Sequence, residues 1–484
     1  MNLSTRLIKT LMLGSIEYHN VYDVRSFYEN EDTTKYISTN LSAVIPGVDV
    51  NYLTQNNVTF LYNLAGILGA SIKSTDNGKR VTEKNMSDIE SGYTKYIKFK
   101  KISEKFASRL DHLKWLISSG YLAMCIQKNN NNEGEWMIDF SFMEPCEVKP
   151  EFHNYGGVLR FDVNPDPTVD VKNKIIIRSI TYKGLKQSMT ENLDQLDKYI
   201  NIIIASGFFY TSVMLHALIA HVLVSGGAFK ALHDLKNKKS QLSKILHIFT
   251  YQSPVNNYKA QHILLKKNGL LRKLFGFTDD GFEEVVRRGY SLLDMGAVTQ
   301  RITTPSSLSS LPIMTQLSLW LNVIEKFAEN VDQYLNKTDS EDKKLFAQKM
   351  EGYSFLKDTT FKDIFKTLVF VSTVYHSVVG NIMYYHGDPK YLSVKVYKND
   401  ESAQYPTVQE YHMLLVLTVA TVYETMPKLL DEFEPYFDES EKDGLYKLFL
   451  SFQTDLRGLE KVLSEKDPDD TNIFPSTTEC SVSL

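Results

Sequence analysis

The sequence predicts a mainly α protein with a small β element, on three observations. No Asp, Glu, Lys or Arg occurs between Tyr199 and Phe229, although charged residues make up 23% of the chain. Two further segments, TLVFVSTVYHSVVGNIMYYH (367–386) and MLLVLTVATVYETM (413–426), are nearly as free of charge. Elsewhere apolar residues recur mostly at three and four, the helical period, and switch to strand-like patterns only over a short stretch near 135–165. Helices that are apolar on every side belong in a central layer, so three of them imply a thick all-helical body wrapped around that layer.

Taken in order, residues 1–100 are mixed. VTFLYNLAGILGASIKS (58–74) predicts a helix between two loop-like segments. KISEKFASRLDHLKWLISSGYLAM (101–124) has helical periodicity. The Asn run at 129–132 predicts a solvated turn before the first strand, and EWMIDFSFMEP (135–145) and GGVLRFDVNP (156–165) predict strands, bounded by Gly, Pro and Asn. DPTVDVKNKIIIRSITYKG (166–184) reads as a connection into the next helix. Helices are expected near 190–225, 240–250, 255–276, 280–290, 313–335, 358–385, 407–432 and 440–463, followed by the tail EKDPDDTNIFPSTTECSVSL. The expected organisation is an N-terminal helical and loop region, 1–100, packed on or part of a large domain over 101–484.

Bulk properties exclude several classes. A net charge of -4 with Lys and Arg scattered among acids leaves no field for nucleic acid. Three cysteines without metal-finger spacing argue against a disulfide framework and for a reducing, cytoplasmic setting. The N-terminus has no clear signal-peptide core. The 199–229 run is long enough to cross a bilayer. Two His, Gly207, Gly226 and Gly227 within it, and a mean hydropathy of -0.24 for the whole chain, favour a buried core helix instead. No nucleophile elbow, phosphate loop or HExxH pattern is present.

The chemistry-bearing residues are histidines. HALIAH places His216 and His221 five apart. On an α-helix they would point about 140° away from each other. A π-type turn, with its i to i+5 spacing, would bring both to one face, and such turns concentrate at functional sites. His376 sits in the second charge-free segment. Three imidazoles from two apolar helices make a nitrogen-rich metal constellation suited to iron, manganese or zinc. Three core histidines, each hydrogen-bonded to a carbonyl or hydroxyl, would read the same, and the residues alone leave both open. The other eight histidines read as structural or surface groups, with His386 as a reserve candidate.

The order and spacing of these segments resemble the lipoxygenase family. LSKILHIFTYQ (242–252) follows the His pair as the family's Leu-x-x-x-His segment does, and YKAQHILLKKNGLLRKLF (258–275) resembles its substrate-channel helix. FKTLVFVSTVYHSVVGNIMYY (365–385) resembles the second ligand helix, YPTVQEYHMLLVLTVATVYE (405–424) the helix after it, and FPSTTECSVSL the family's C-terminus. The resemblance covers about 135–484, and the N-terminal β-sandwich common to plant and animal members is expected to be absent. It implies a large helical lipoxygenase-like catalytic domain around non-haem Fe2+/Fe3+, with Mn as the alternative. His216, His221 and His376 become ligands, and Leu484 becomes one through its terminal carboxylate. Ala260, Leu264 and Leu271 become walls of the substrate and oxygen channel; the same residues also form an ordinary helical apolar stripe.

Two departures stand out. The family's weaker ligand, four residues after the third His, is replaced by Gly380, and Asn381 follows it, so a widened helix could let Asn381 take that place. Where the family often carries outer glutamines, this chain has Ser212 and Met383. The implied reaction is insertion of O2 into a cis,cis-1,4-diene of a polyunsaturated fatty acid to give a hydroperoxide. The alternatives are a changed reaction on the same fold and metal, namely hydroperoxide rearrangement or oxidation of another metabolite, or a non-catalytic helical protein with buried structural histidines. The expected partners are a lipid or small-molecule substrate and O2, with no nucleic acid and at most transient membrane contact, for a monomer.

Overall fold

The computed structural model describes residues 79–482 apart from 92–105, 130–133, 167–168, 189–192, 234, 236–239, 252, 254–256, 258–263, 266–268, 294, 304–305, 351–359, 381–392, 401–404, 424–426, 435–436, 438–443 and 466–472. The expected helix at 58–74, and with it most of the N-terminal region, lies outside the described residues. Val81 is buried, and its N–H bonds the carbonyl of Pro406, so the chain from residue 79 is already part of the main body.

Helix α1 (Arg109–Ser118) is capped by Ser108, whose side chain accepts from the Asp111 N–H. It is shorter than its sequence period suggested, because Gly120 breaks it and Tyr121–Cys125 continues as a 3-10 turn. The chain then folds into an antiparallel meander of five strands in sequence order: β1 (Ile126–Lys128), β2 (Trp136–Asp139), β3 (Val158–Val163), β4 (Ile175–Tyr182) and β5 (Leu185–Ser188). Here the sequence reading needs correction. The stretch read as a connection, 166–184, contains β4. Its Ile175 and Ile177 face inward while Ile176 and Arg178 face out, a period-2 pattern partly hidden by the run of three isoleucines. β4 turns into β5 through Lys183 (φ 48°) and Gly184 (φ 76°), two left-handed positions that match the twist of a tight hairpin. The Asn run falls at the β1–β2 connection, one strand later than expected.

The sheet packs against a long helical rod that begins as α2 (Leu193–Phe209), continues as a π-helix (Tyr210–Gly226) and ends as α3 (Gly227–His233). Ser206 ties sheet to rod: its Oγ accepts from the Gly156 N–H at 2.8 Å and donates to Ile202 O at 2.7 Å. The rod is long and apolar enough to cross a membrane, yet 89% of its most apolar window is buried within the fold. Around it stand α4 (Gln241–Phe249), α5 (Asp279–Tyr290), α6 (Met295–Thr303), α7 (Pro312–Thr338), α8 (Phe361–Phe370), α9 (Val408–Tyr423) and α10 (Leu445–Ser464). The expected 407–432 helix is shorter: Pro427 follows its last described turn, and 427–432 runs as bridge and turn residues instead. α7 packs on α8 and α10 through Phe327, Phe365 and Phe452, with Phe327 and Phe452 stacked at 4.1 Å.

His112, on α1, is buried beside Phe106 and Trp115. Burial, reinforced by the Arg109 charge, pushes its pKa down to about 3. The unfolded chain therefore holds a proton between about pH 3 and 6.5 that the folded chain does not. Stability must fall as pH drops through that window, by up to about 1.4 kcal/mol per pH unit for this one group. His112→Gln is expected to flatten the fall between about pH 6.5 and 5 in urea-unfolding midpoints. An unchanged slope would show that His112 titrates normally.

Candidate metal centre

The rod's uncharged sequence makes it a core helix; its π geometry decides what it does there. Over Tyr210–Gly226 the helix is widened throughout, and His216 and His221 share a face, as the i to i+5 argument requires. The facing helix is widened as well. α8 continues as a π turn (Val371–Tyr375) and then as α-helix from His376 to Gly380. The widening thus comes just before His376, and Asn381 lies outside the described residues.

The three rings meet. Nε2 of His216 lies 2.9 Å from Nε2 of His376 and 3.0 Å from Nε2 of His221, and the third side of the triangle is 3.2 Å. All three side chains are buried. Burial holds His216 and His221 neutral: His216 falls to about 4, and His221 falls well below its usual value through burial first and the two neighbouring rings second.

A triangle of neutral nitrogens cannot satisfy itself with hydrogen bonds. Each Nε2 is either a donor or an acceptor, never both. Two roles spread over three mutually touching atoms leave at least one pair in which lone pair faces lone pair or N–H faces N–H. A cation at the centre removes the conflict, because all three nitrogens then present lone pairs to it. The donor set fits a divalent transition metal of the iron, manganese or zinc group. Among the described residues this is the group of His, Cys, Asp and Glu side chains placed to hold an ion.

Asn257 was not foreseen. Its Nδ2 donates to the backbone carbonyl of His221 at 3.0 Å, pinning that residue from outside the widened helix. Its side chain also acts on the His221 ring, where it partly offsets the lowering caused by burial. The only sequence signal was an Asn inside an otherwise helical stretch, which reads equally well as a turn.

Gly380 has a positive role as well as a missing side chain. A Cβ built there would sit 2.8 Å from His216 Nε2. Bare backbone at this position is what lets the His216 ring lie where it does. Gly380→Ala is expected to push that ring aside and weaken metal binding by about 10–100-fold, the range typical when a ligand loses its supporting geometry. Titration with Mn2+ or Fe2+ against a competing chelator measures it; wild-type affinity would mean the ring has room to retreat.

The remaining expected site residues divide. Leu271 is buried and Leu264 half-buried against the core, consistent with a wall or with simple packing. Ala260, Met383 and Leu484 lie outside the described residues. Ser212 is buried in the π-helix. The tail, however, is buried as far as Val482. Glu479 bridges to Lys428, the Cys480 N–H bonds Pro427 O at 2.9 Å, and Cys480, Ser481 and Val482 are all buried. Ser481 Oγ donates to Phe249 O at 3.2 Å and lies 3.4 Å from Ser253 Oγ, which in turn bonds Ser225, one turn beyond His221 on the rod.

The fold is found in solved structures. The chain is similar to the coral 8R-lipoxygenase, with a TM-score of 0.69 and 11% identity over 96% of this chain and 82% of that one. It is similar to the manganese lipoxygenase of Gaeumannomyces graminis, with a TM-score of 0.66 and 12% identity over 94% and 93%. A lipoxygenase solved anaerobically in complex with arachidonate gives a TM-score of 0.68 and 11% identity over 90% and 75%. No protein-family model matches the chain, and no curated protein sequence matches it. The fold is that of the lipoxygenase catalytic domain.

Proposed function

We propose that this chain is a lipoxygenase-like oxidoreductase, a non-haem iron dioxygenase that converts a cis,cis-1,4-diene of a polyunsaturated fatty acid to a hydroperoxide. The observation that carries the reading is the buried Nε2 triangle of His216, His221 and His376, with sides of 2.9 to 3.2 Å. Those residues hold the metal, the terminal carboxylate of Leu484 supplies the anionic ligand, and Asn381 takes the weaker position. When bound, the iron supplies one-electron redox chemistry at a doubly allylic C–H, and O2 completes the product. Manganese is the alternative ion.

The protein's part is positioning. Burial keeps His216 and His221 neutral and available as donors. Asn257 fixes His221 in the widened helix. Channel walls at Ala260, Leu264 and Leu271 hold a flexible hydrocarbon in register and keep water from its radical. The reading includes a cytoplasmic monomer that meets membranes transiently to collect lipid, which suits three buried free cysteines. Gly380 and Ser212, where the family carries polar side chains, favour a second reading on the same site: rearrangement of a hydroperoxide, or oxidation of another small metabolite.

Metal analysis of the purified protein, combined with oxygen uptake on linoleate, arachidonate and other fatty acids, tests both. Bound iron or manganese with uptake and a conjugated-diene product supports the first reading. Bound metal without uptake moves the case to the second. A protein that takes up no iron or manganese is a helical protein with structural histidines.

A further inference from the structure

Several buried hydroxyls of this fold turn back on their own helix. Ser206 donates to Ile202 O, Thr250 to Leu246 O and Thr373 to Val369 O, each four residues earlier. Three serines do otherwise. Ser225, Ser253 and Ser481 are fully buried, and the hydroxyl of each bonds across to another segment. Ser225 belongs to the rod, one turn beyond His221. Ser253 follows α4, and Ser481 belongs to the tail, three residues before Leu484.

The directions of these bonds follow from their partners, because a hydroxyl donates only one proton. Ser481 gives its proton to Phe249 O at 3.2 Å, so across the 3.4 Å to Ser253 it accepts. Ser253 thus donates to Ser481 and accepts from Ser225. The ordinary acceptor for Ser225 would be the carbonyl four residues earlier, that of His221, but Asn257 Nδ2 donates to that carbonyl at 3.0 Å. The result is a one-way chain, Ser225 to Ser253 to Ser481 to Phe249 O, in which each link polarises the next. Buried hydroxyls are costly without partners, so the junction is stable only while the chain is whole. One segment thereby grips two others: Asn257 holds the rod at 221, while Ser253 holds the rod at 225 and the tail at 481.

We propose that Ser253 is a positioning residue for the metal centre: it fixes the register of the tail against the rod, and so sets where the last carboxylate stands relative to His221. The proposal rests on the reading of Leu484 as a metal ligand. Four residues separate Ser225 from His221 along the rod, and no more than about 10 Å of chain separates Ser481 from Leu484. Glu479 and Cys480 hold the tail to Lys428 and Pro427, which follow α9 and are not part of the rod. The serine chain ties the tail to the ligand helix itself.

Ser253→Ala removes one oxygen and breaks the chain at its centre. Titration of Mn2+ and Fe2+ against a competing chelator should show affinity lowered by about 10–100-fold, as when a ligand loses an outer partner. A cycle with amidation of the Leu484 carboxyl separates positioning from general support. On the amidated protein Ser253→Ala should weaken binding by no more than about twofold further, whereas independent effects would multiply in full. In the metal-free protein, hydrogen exchange read by mass spectrometry should quicken in the C-terminal peptide and stay unchanged in α10. Ser481→Ala opens the same chain from the tail side, should repeat each result, and serves if Ser253→Ala folds poorly. A wild type that binds no divalent ion, or binds it equally well after amidation, ends the reading on which this role rests. A wild type that binds the ion and responds to amidation, with full affinity in both serine variants, unchanged exchange in the tail, or a full further loss on the amidated protein, overturns the role of Ser253 alone.

Discussion

His376→Ala is expected to abolish the stabilisation that Fe2+ or Mn2+ confers on the wild-type protein. Among the described residues His376 is the one imidazole that the helix facing the rod brings to the cluster, and its Nε2 lies within 3.2 Å of both others. A ligand bound only by the folded state stabilises it by about 4 kcal/mol when present at a thousand times its dissociation constant. With two nitrogens left, binding should weaken by at least ~100-fold, more than the loss of an outer hydrogen-bond partner causes. The metal-dependent rise in unfolding midpoint should vanish while the metal-free midpoint falls only by the modest cost of trimming a buried ring. Structural histidines make the opposite forecast: no metal-dependent rise in the wild type, and the whole effect of the substitution visible without metal. Calorimetric melts of both proteins, with and without added ion, separate the two. A wild type indifferent to every first-row divalent ion would remove the metal centre, and the dioxygenase reading with it.

How much of this was legible in the sequence depends on which physical signal each residue carries. The apolar rod was plain, because freedom from charge over many residues has few explanations in a folded protein. The π geometry was legible only through its consequence: two histidines five apart share a face in a widened helix and not in an α-helix. Whether the helix widens near His376, and on which side, was left open, since nothing in VSTVYHSVVG distinguishes residues before the His, where the π turn Val371–Tyr375 lies, from those after it. Strand β4 was missed because Ile175, Ile176 and Ile177 hide alternation that only burial reveals. Asn257 was illegible for a different reason. Its partner is a backbone carbonyl, and backbone partners leave no mark on sequence. Gly380 was legible as an absence and misjudged as only that; the 2.8 Å approach of a notional Cβ to His216 is a property of two helices packed together, which no spacing along one chain encodes.

Amidating the C-terminal carboxyl of Leu484 is expected to cost the site most of its metal affinity without altering its shape. The modification removes one negative charge and leaves every other atom nearly in place. Three neutral imidazoles would then face a divalent ion alone, and Fe2+ and Mn2+, which bind nitrogen donors more weakly than Zn2+, depend on an anionic oxygen more than Zn2+ does. Affinity for the first two should therefore fall by at least ~100-fold, and for zinc by less. Deleting Leu484 should act in the same direction, because the new carboxylate would end up to about 3.5 Å short of the old one. Extension by a few polar residues should act in the same direction, since it moves the carboxylate off Leu484 at the end of a chain that is buried up to Val482. Helix content should hardly change in any of the three, as Glu479, Cys480 and Ser481 anchor the tail to Lys428, Pro427 and Phe249 well before its end. If amidation leaves Fe2+ and Mn2+ affinity untouched, Leu484 is not a ligand; the burial of Cys480, Ser481 and Val482 is then ordinary packing, and the ion's charge must be balanced by an acid from some other part of the chain or by the substrate.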